Sequence, residues 1–363
     1  MEIIGLIAEY NPLHNGHIYQ IKKIKELYPD SLIILILNGY FLERGTISYM
    51  TKEDKVTASL NESIDLIVEL PCFYGTQSAD IFAYQSINIL NELHITHLAF
   101  GSESNDLATI SSLANTFSNP EYQENVQKNL STGLNYPTAL AKSLNTSFTF
   151  NPNDLLAISY LKALNKINPQ IKPLLIKRTN SYHDLESNDS IISASNIRHK
   201  FLNHEPISHT TLYSKYLIEP DFSLLFSLIS YKVFSSSNLA IYLDMDEGLE
   251  YRLKKVLPTV HKYDDLVMAL KTKRYTFNKI NRLLTHLLLG ITKEDNTSTY
   301  PPYIHYLGFN KKGQSYIHSL SLNPSSYLDH PLYQVELRAS RIYDLIMHTH
   351  TYTYELRHQP KRI

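Results

Sequence analysis

Apolar residues in the first two hundred positions fall in short runs separated by stretches of helical period. The runs at 2–9, 32–38, 66–70, 97–101 and 171–177 are too short for helices and rich in Ile, Leu and Val, which predicts strands. Between them, 17–27, 52–61, 79–93 and 154–165 repeat apolar residues every three to four positions and predict helices. Strands alternating with helices predict an α/β domain with a doubly wound parallel sheet, whose ligands sit beyond the carboxyl ends of the strands. The segment 107–144 reads as extra helix without a strand, an expected insertion.

From about position 201 the strand pattern fades. Residues 224–233, 248–256, 266–271, 277–291 and 335–347 predict helices, so a mainly α-helical domain over 204–363 is expected after a first domain over 1–203. In the fourth helix Ile280, Leu283, Leu284, Leu287, Leu288 and Ile291 share one face, leaving Lys279 and Arg282 off the stripe. The run 303–309 reads equally as a short strand or a turn.

Composition narrows the class. With 43% hydrophobic and 19% charged residues in 363, the chain has ample material for packed cores. No apolar run reaches the roughly 18 residues of a membrane span, and the strand-like start lacks the basic region of a signal peptide. The single cysteine, Cys72, excludes an internal disulfide and a multi-cysteine metal site. These features set the expectation of a cytoplasmic protein. Charge is uneven: residues 201–363 hold 19 Lys/Arg against 15 Asp/Glu, and residues 1–200 hold 15 against 20. Residues 252–282 alone carry nine basic side chains against Asp264 and Asp265, which points to a polyanionic partner.

Two stretches carry candidate chemistry. In Ile7-Ala8-Glu9-Tyr10-Asn11-Pro12-Leu13-His14-Asn15-Gly16-His17 an apolar run stops at Asn11-Pro12 and a helical pattern follows. A strand feeding a tight turn and a helix N-terminus suits a phosphate chain: Gly16 admits close backbone approach, the first turn offers free N–H groups, and His14 and His17 add ring donors. A strand–turn–helix corner with two surface histidines explains the stretch equally well. In Ile192-Ser193-Ala194-Ser195-Asn196-Ile197-Arg198 a serine caps a helix and Arg198 lies one turn in, so a phosphate there would meet N–H groups, a hydroxyl and a guanidinium. Alone this is an ordinary capped helix. Together, the two N-termini could clamp one triphosphate.

These motifs, with the segments at 69–83, 97–103, 151–164, 176–178 and 269–276, resemble the bacterial tRNA(Met) cytidine acetate ligase family, within the nucleotidyltransferase-like superfamily, over nearly the whole chain. The resemblance implies an ATP-dependent ligase that activates acetate as acetyl-adenylate and transfers the acetyl group to the wobble cytidine of elongator tRNA(Met), giving N4-acetylcytidine. It implies His14, His17, Ser195 and Arg198 at the phosphates, and further ATP contacts at residues 7–12, Gly16, Gly101, Asn153 and Arg178. Read without it, Gly101 is a strand-end turn, Asn153 an N-cap and Arg178 a solvated charge. The loop Gly39-Tyr40-Phe41-Leu42-Glu43-Arg44-Gly45 departs from the family pattern, which has Asn and Gln where Tyr40 and Glu43 stand.

Arg252, Lys254, Lys255, Lys271, Lys273, Arg274, Lys279 and Arg282 are the candidate contacts for the RNA backbone, with Tyr275 as a base-stacking ring. ATP commonly brings Mg²⁺, and no carboxylate in the sequence stands out as its ligand. Two other readings remain. A small-molecule adenylyltransferase accounts for both phosphate motifs but leaves the basic half idle. A non-catalytic RNA-binding protein with a nucleotide pocket leaves the intact histidines unexplained.

Overall fold

The computed structural model describes residues 1–144, 151–178, 187, 189–246, 248–297, 300–320, 322, 327–357 and 359–363. The strands expected from the apolar runs form β1 (Ile3–Ala8), β2 (Leu32–Asn38), β3 (Leu66–Leu70), β4 (His97–Ser102) and β5 (Lys172–Lys177). β2 and β3 are buried at every residue, which explains why they read as continuous apolar runs without alternation. Two strands from the second half, β6 (Tyr306–Phe309) and β7 (Lys361–Arg362), complete one sheet in the order β5-β4-β1-β2-β3-β6-β7.

All pairings are parallel except β3 with β6. Because β1 lies between β2 and β4, successive connections leave on opposite sides of it. The crevice at the carboxyl ends of β1 and β4 is therefore the topological switch point, where doubly wound sheets bind ligands. Helix α1 (Asn15–Leu27) follows β1 and helix α2 (Lys52–Asn61) follows β2. The insertion is helical as expected, with helices Leu107–Ser118, Pro120–Ser131 and Tyr136–Ser143, each opened by a side-chain cap from Asp106, Asn119 and Asn135.

The second half is mainly helical but returns to the sheet. The run 303–309 ends in β6, packed against β3, so residues beyond 300 finish the first domain's sheet. Helix Phe277–Leu289 buries the predicted stripe, together with Thr285 and His286. Helix Pro331–Met347 sends Glu336 into a cluster that the sequence reading missed. There the fully buried Lys52 ammonium meets Glu69, Glu336 (2.6 Å) and Glu355 (2.7 Å). The hydroxyls of Tyr40 and Tyr303 donate to Glu355 (2.5 Å) and Glu69 (2.7 Å). Burial, reinforced by Glu69, pushes the Glu336 carboxyl above its ordinary value, against the pull of the Lys52 ammonium. The three carboxylates converge as metal ligands would, but the ammonium sits among them.

Candidate active site

After β1 the chain turns through Tyr10, held at φ 45°, and Asn11-Pro12 into α1. His14 is the N-cap. Its ring Nδ1 accepts the Gly16 N–H (3.0 Å), while the His14 N–H donates to Nδ1 of His17 (3.2 Å). This reciprocal cap fixes both rings, whose centroids are 3.8 Å apart. With each Nδ1 accepting from backbone, each neutral ring carries its proton on Nε2, a donor that remains for a ligand. Burial, aided by the nearby Arg178 and Arg198 guanidinium groups, lowers His14 to about 3. Burial, then His14 and Arg178, holds His17 well below its ordinary value. The positive charge at this site belongs to the arginines; the histidines supply directed N–H groups.

Gly16 also serves the cap itself. A Cβ there would lie 2.8 Å from Cε1 of His14, so the absent side chain makes room for the capping ring. Helix Ala194–Leu202 arrives from the other direction with Ser193 as N-cap. Arg198 donates to the Asn11 carbonyl (2.6 Å) and to Ser195 Oγ (3.2 Å), which ties the two motifs across 187 residues of sequence. Arg178 follows β5, and its backbone N–H donates to the Ser102 carbonyl at the end of β4 (3.0 Å). Its side chain lies over Gly101, where a Cβ would approach Cγ to 3.4 Å.

These residues surround a cleft of about 250 Å³ at the switch point. Of the positions expected to contact ATP, Ile7, Ala8, Glu9, Tyr10, Asn11, His14, His17, Gly101, Asn153, Arg178, Ser195 and Arg198 line it. Gly16 lines a smaller adjoining hollow, and Pro12 is buried in the turn. The cap of the helix Pro152–Ile167 is Asn151, not Asn153. Asn153 instead donates its amide to Glu103 Oε1 (2.5 Å), while Asp154 accepts from the Ser102 hydroxyl (2.6 Å).

Sequence reasoning missed two supports. The Glu9 carboxylate accepts the Glu43 N–H (2.7 Å), holding the 39–45 loop to the cleft. The buried Lys55 ammonium donates to the carbonyls of Glu9 (3.0 Å), Asn38 (2.8 Å) and Gly39 (2.6 Å), so one side chain satisfies the ends of β1 and β2. The available signal was that Lys52 and Lys55 share the face of α2 that buries Val56 and Ser59. The two departures from the family pattern both reach the second half. Tyr40 bonds Glu355 and lies 4.5 Å beneath Lys52, while Glu43 pairs with Arg282 (3.6 Å).

The candidate basic face divides. Arg252, Lys254, Lys255, Lys271, Lys273 and Arg274 are exposed on the helix Leu249–Val256 and around 271–274. Lys279 and Arg282 are not part of this solvent face. Lys279 pairs with Asp244 and Asp246 (3.2 Å), and Arg282 with Glu43 and Asp244 (3.8 Å). Tyr275 packs half-buried against the core, and the exposed ring among the basic residues is Tyr251, at 74%.

Comparison with known proteins follows this geometry. The HIGH Nucleotidyl Transferase family model matches residues 1–358. The tRNA(Met) cytidine acetate ligase of Fusobacterium nucleatum is 34% identical over 336 residues, covering 88% of this chain and 85% of that protein. The tRNA(Met) cytidine acetate ligase of Oceanobacillus iheyensis is 34% identical over 377 residues, covering 94% of each. The crystal structure of Thermotoga maritima TmcAL in its apo form superposes with a TM-score of 0.87 at 23% identity over the whole of both chains. The same protein bound with alpha-thio ATP gives 0.85. These structural likenesses establish the fold.

Proposed function

Because the chain belongs to the HIGH Nucleotidyl Transferase family and, within it, to the tRNA(Met) cytidine acetate ligases, we propose that it activates acetate with ATP and acetylates the wobble cytidine of elongator tRNA(Met). An acetate oxygen attacks the α-phosphorus, the α–β P–O bond breaks and pyrophosphate leaves. The N4 lone pair of cytidine then forms a C–N bond to the acetyl carbon. The mixed-anhydride C–O bond breaks, AMP departs with its electron pair, and the amine's proton is released to solvent.

The observation that carries this reading is the pair of neutral, backbone-fixed histidines facing the same cleft as Arg178 and Arg198. In the first step charge accumulates on departing pyrophosphate, and donors fixed beforehand stabilise it without reorganising. His14 and His17 serve the α- and β-phosphates, with Ser195 and Arg198 on the β/γ side. Gly101, Asn153 and Arg178 flank the adenosine. Acetate brings its own nucleophilic oxygen, so the protein need supply none. The exposed candidates Arg252, Lys254, Lys255, Lys271, Lys273 and Arg274 hold the RNA backbone.

Radiolabelled acetate incubated with the protein, ATP and tRNA(Met), followed by nucleoside analysis, tests the reading. Label recovered as N4-acetylcytidine only when ATP is present supports it. Steady pyrophosphate release with a phosphorylated small-molecule acceptor, and no label in RNA, replaces it with an adenylyltransferase.

A further inference from the structure

A cavity of about 410 Å³ lies beside the nucleotide cleft. It falls between the 41–49 loop of the first domain and the helices Phe222–Ser235, Tyr263–Leu270 and Phe277–Leu289 of the second. It opens to solvent past Met268 and Phe277, and its volume falls in the range of small-molecule binding clefts. We propose that it receives the target pyrimidine, turned out of the RNA strand, and presents its amine to the activated acetyl group. This rests on the reaction given under Proposed function.

Continuity with the cleft is the first support. Thr46 and Arg198 line both cavities. The Arg198 guanidinium, bonded to Asn11 and Ser195 on the nucleotide side, stands 5.8 Å from the ring of Tyr49, which lines the larger cavity. A planar group in one space is therefore a single side chain away from a ligand in the other.

The walls suit a base. Phe41, Tyr49, Phe222, Tyr263 and Phe277 offer ring faces, and base–aromatic stacking is indifferent to the polar edge that must stay available for reaction. Among them Asn281 supplies a polar edge. Its Oδ1 accepts the Tyr263 hydroxyl (2.9 Å), which assigns its remaining group as the NH₂ donor. Cytosine O2 and N3 are both acceptors.

The mouth meets the basic face. Met268, 61% exposed, and Phe277 stand at the opening. The Lys271 ammonium lies 4.8 Å from the Phe277 ring, and Arg252 donates to the carbonyl of Ala269 (2.6 Å), the residue after Met268. A strand held by its phosphates on Arg252 and Lys271 passes the opening, and an unpaired loop nucleotide is the least costly kind to turn inward.

Met268→Trp narrows the mouth and Asn281→Ala removes the donor, and neither touches the nucleotide cleft. Three quantities are read in each: acetate-dependent ATP–pyrophosphate exchange, tRNA affinity, and single-turnover acetyl transfer from the preformed acetyl-adenylate complex. Exchange stays within about twofold and affinity within about threefold, while transfer falls at least 30-fold in Met268→Trp and about tenfold in Asn281→Ala. Pyrrolocytidine at the wobble position, whose emission reports stacking, changes on binding to the native protein and does not with Met268→Trp. Transfer at native rates in both variants overturns the inference. A native protein that shows no acetate-dependent exchange overturns instead the reaction on which it rests.

Discussion

The nucleotide cleft and the basic helical face both present positive charge, and they do so by opposite physical means. In the cleft the donors are partly or fully buried and tied down: Arg198 to a backbone carbonyl and a serine, both histidines to backbone N–H groups. On the helical face Arg252, Lys254, Lys255, Lys271, Lys273 and Arg274 extend into water. The first arrangement acts over a few ångströms and is screened much less by salt. The second acts over a Debye length, roughly 8–10 Å in ordinary salt, and weakens as salt rises. Lys279 and Arg282 show that sequence position does not decide membership. They fall within the basic stretch but are paired and partly buried, like the charges of the cleft.

That contrast can be broken in graded ways. The largest effect is expected from Lys52→Met, which strands buried carboxylates without their counter-ion and should cost about 3–5 kcal/mol of stability, read from chemical denaturation. His17→Ala removes one fixed donor and should lower acetate-dependent ATP–pyrophosphate exchange by about 10²–10³-fold while leaving tRNA affinity intact. Reversing Lys273 and Arg274 to Glu should do the converse: exchange is retained, tRNA binding weakens about tenfold or more at moderate salt, and the log–log salt slope flattens by about 0.7–0.9 per lost contact. Lys279→Ala, by comparison, should leave that slope unchanged. Unaltered affinity in the double reversal would make the helical face merely solvated.

A further effect is on pH. His14 titrates at about 3 in the folded protein, against 6.5 unfolded, because burial and the arginines disfavour its charge. Between those values the unfolded chain binds more protons, so stability is fully present above 6.5 and is lost as pH falls toward 3. The slope is at most about 1.4 kcal/mol per pH unit for this group. Denaturation at pH 7 and pH 5 should show the loss, and His14→Gln should reduce it, His17 keeping its own share. Exchange activity should carry no inflection near 6.5 from either ring.

Much of this was legible in the chain itself. Five sheet strands and the capped start of α1 follow from runs of Ile, Leu and Val and from a His-Asn-Gly-His turn, because local period and turn chemistry decide them. What escaped was whatever depends on distant partners. The run 303–309 has no period of its own that distinguishes strand from turn; only the edge of β3 makes it β6. The burial of Lys52 and Lys55 depends on acids and carbonyls that lie far away in the sequence. Lys279 reads as part of a basic face until Asp244 and Asp246 arrive from a turn more than 30 residues earlier.

The Lys52 cluster has a consequence for how the chain is made. Its acids stand at positions 69, 336 and 355, and Tyr40 and Glu355 are 315 residues apart. Synthesis proceeds from the N-terminus at about 5–20 residues per second. Lys52 and Glu69 have therefore left the ribosome well before Glu336 and Glu355 can join them. Until then the ammonium has one of its three acids. Completion of translation and completion of this buried cluster thus become nearly the same event.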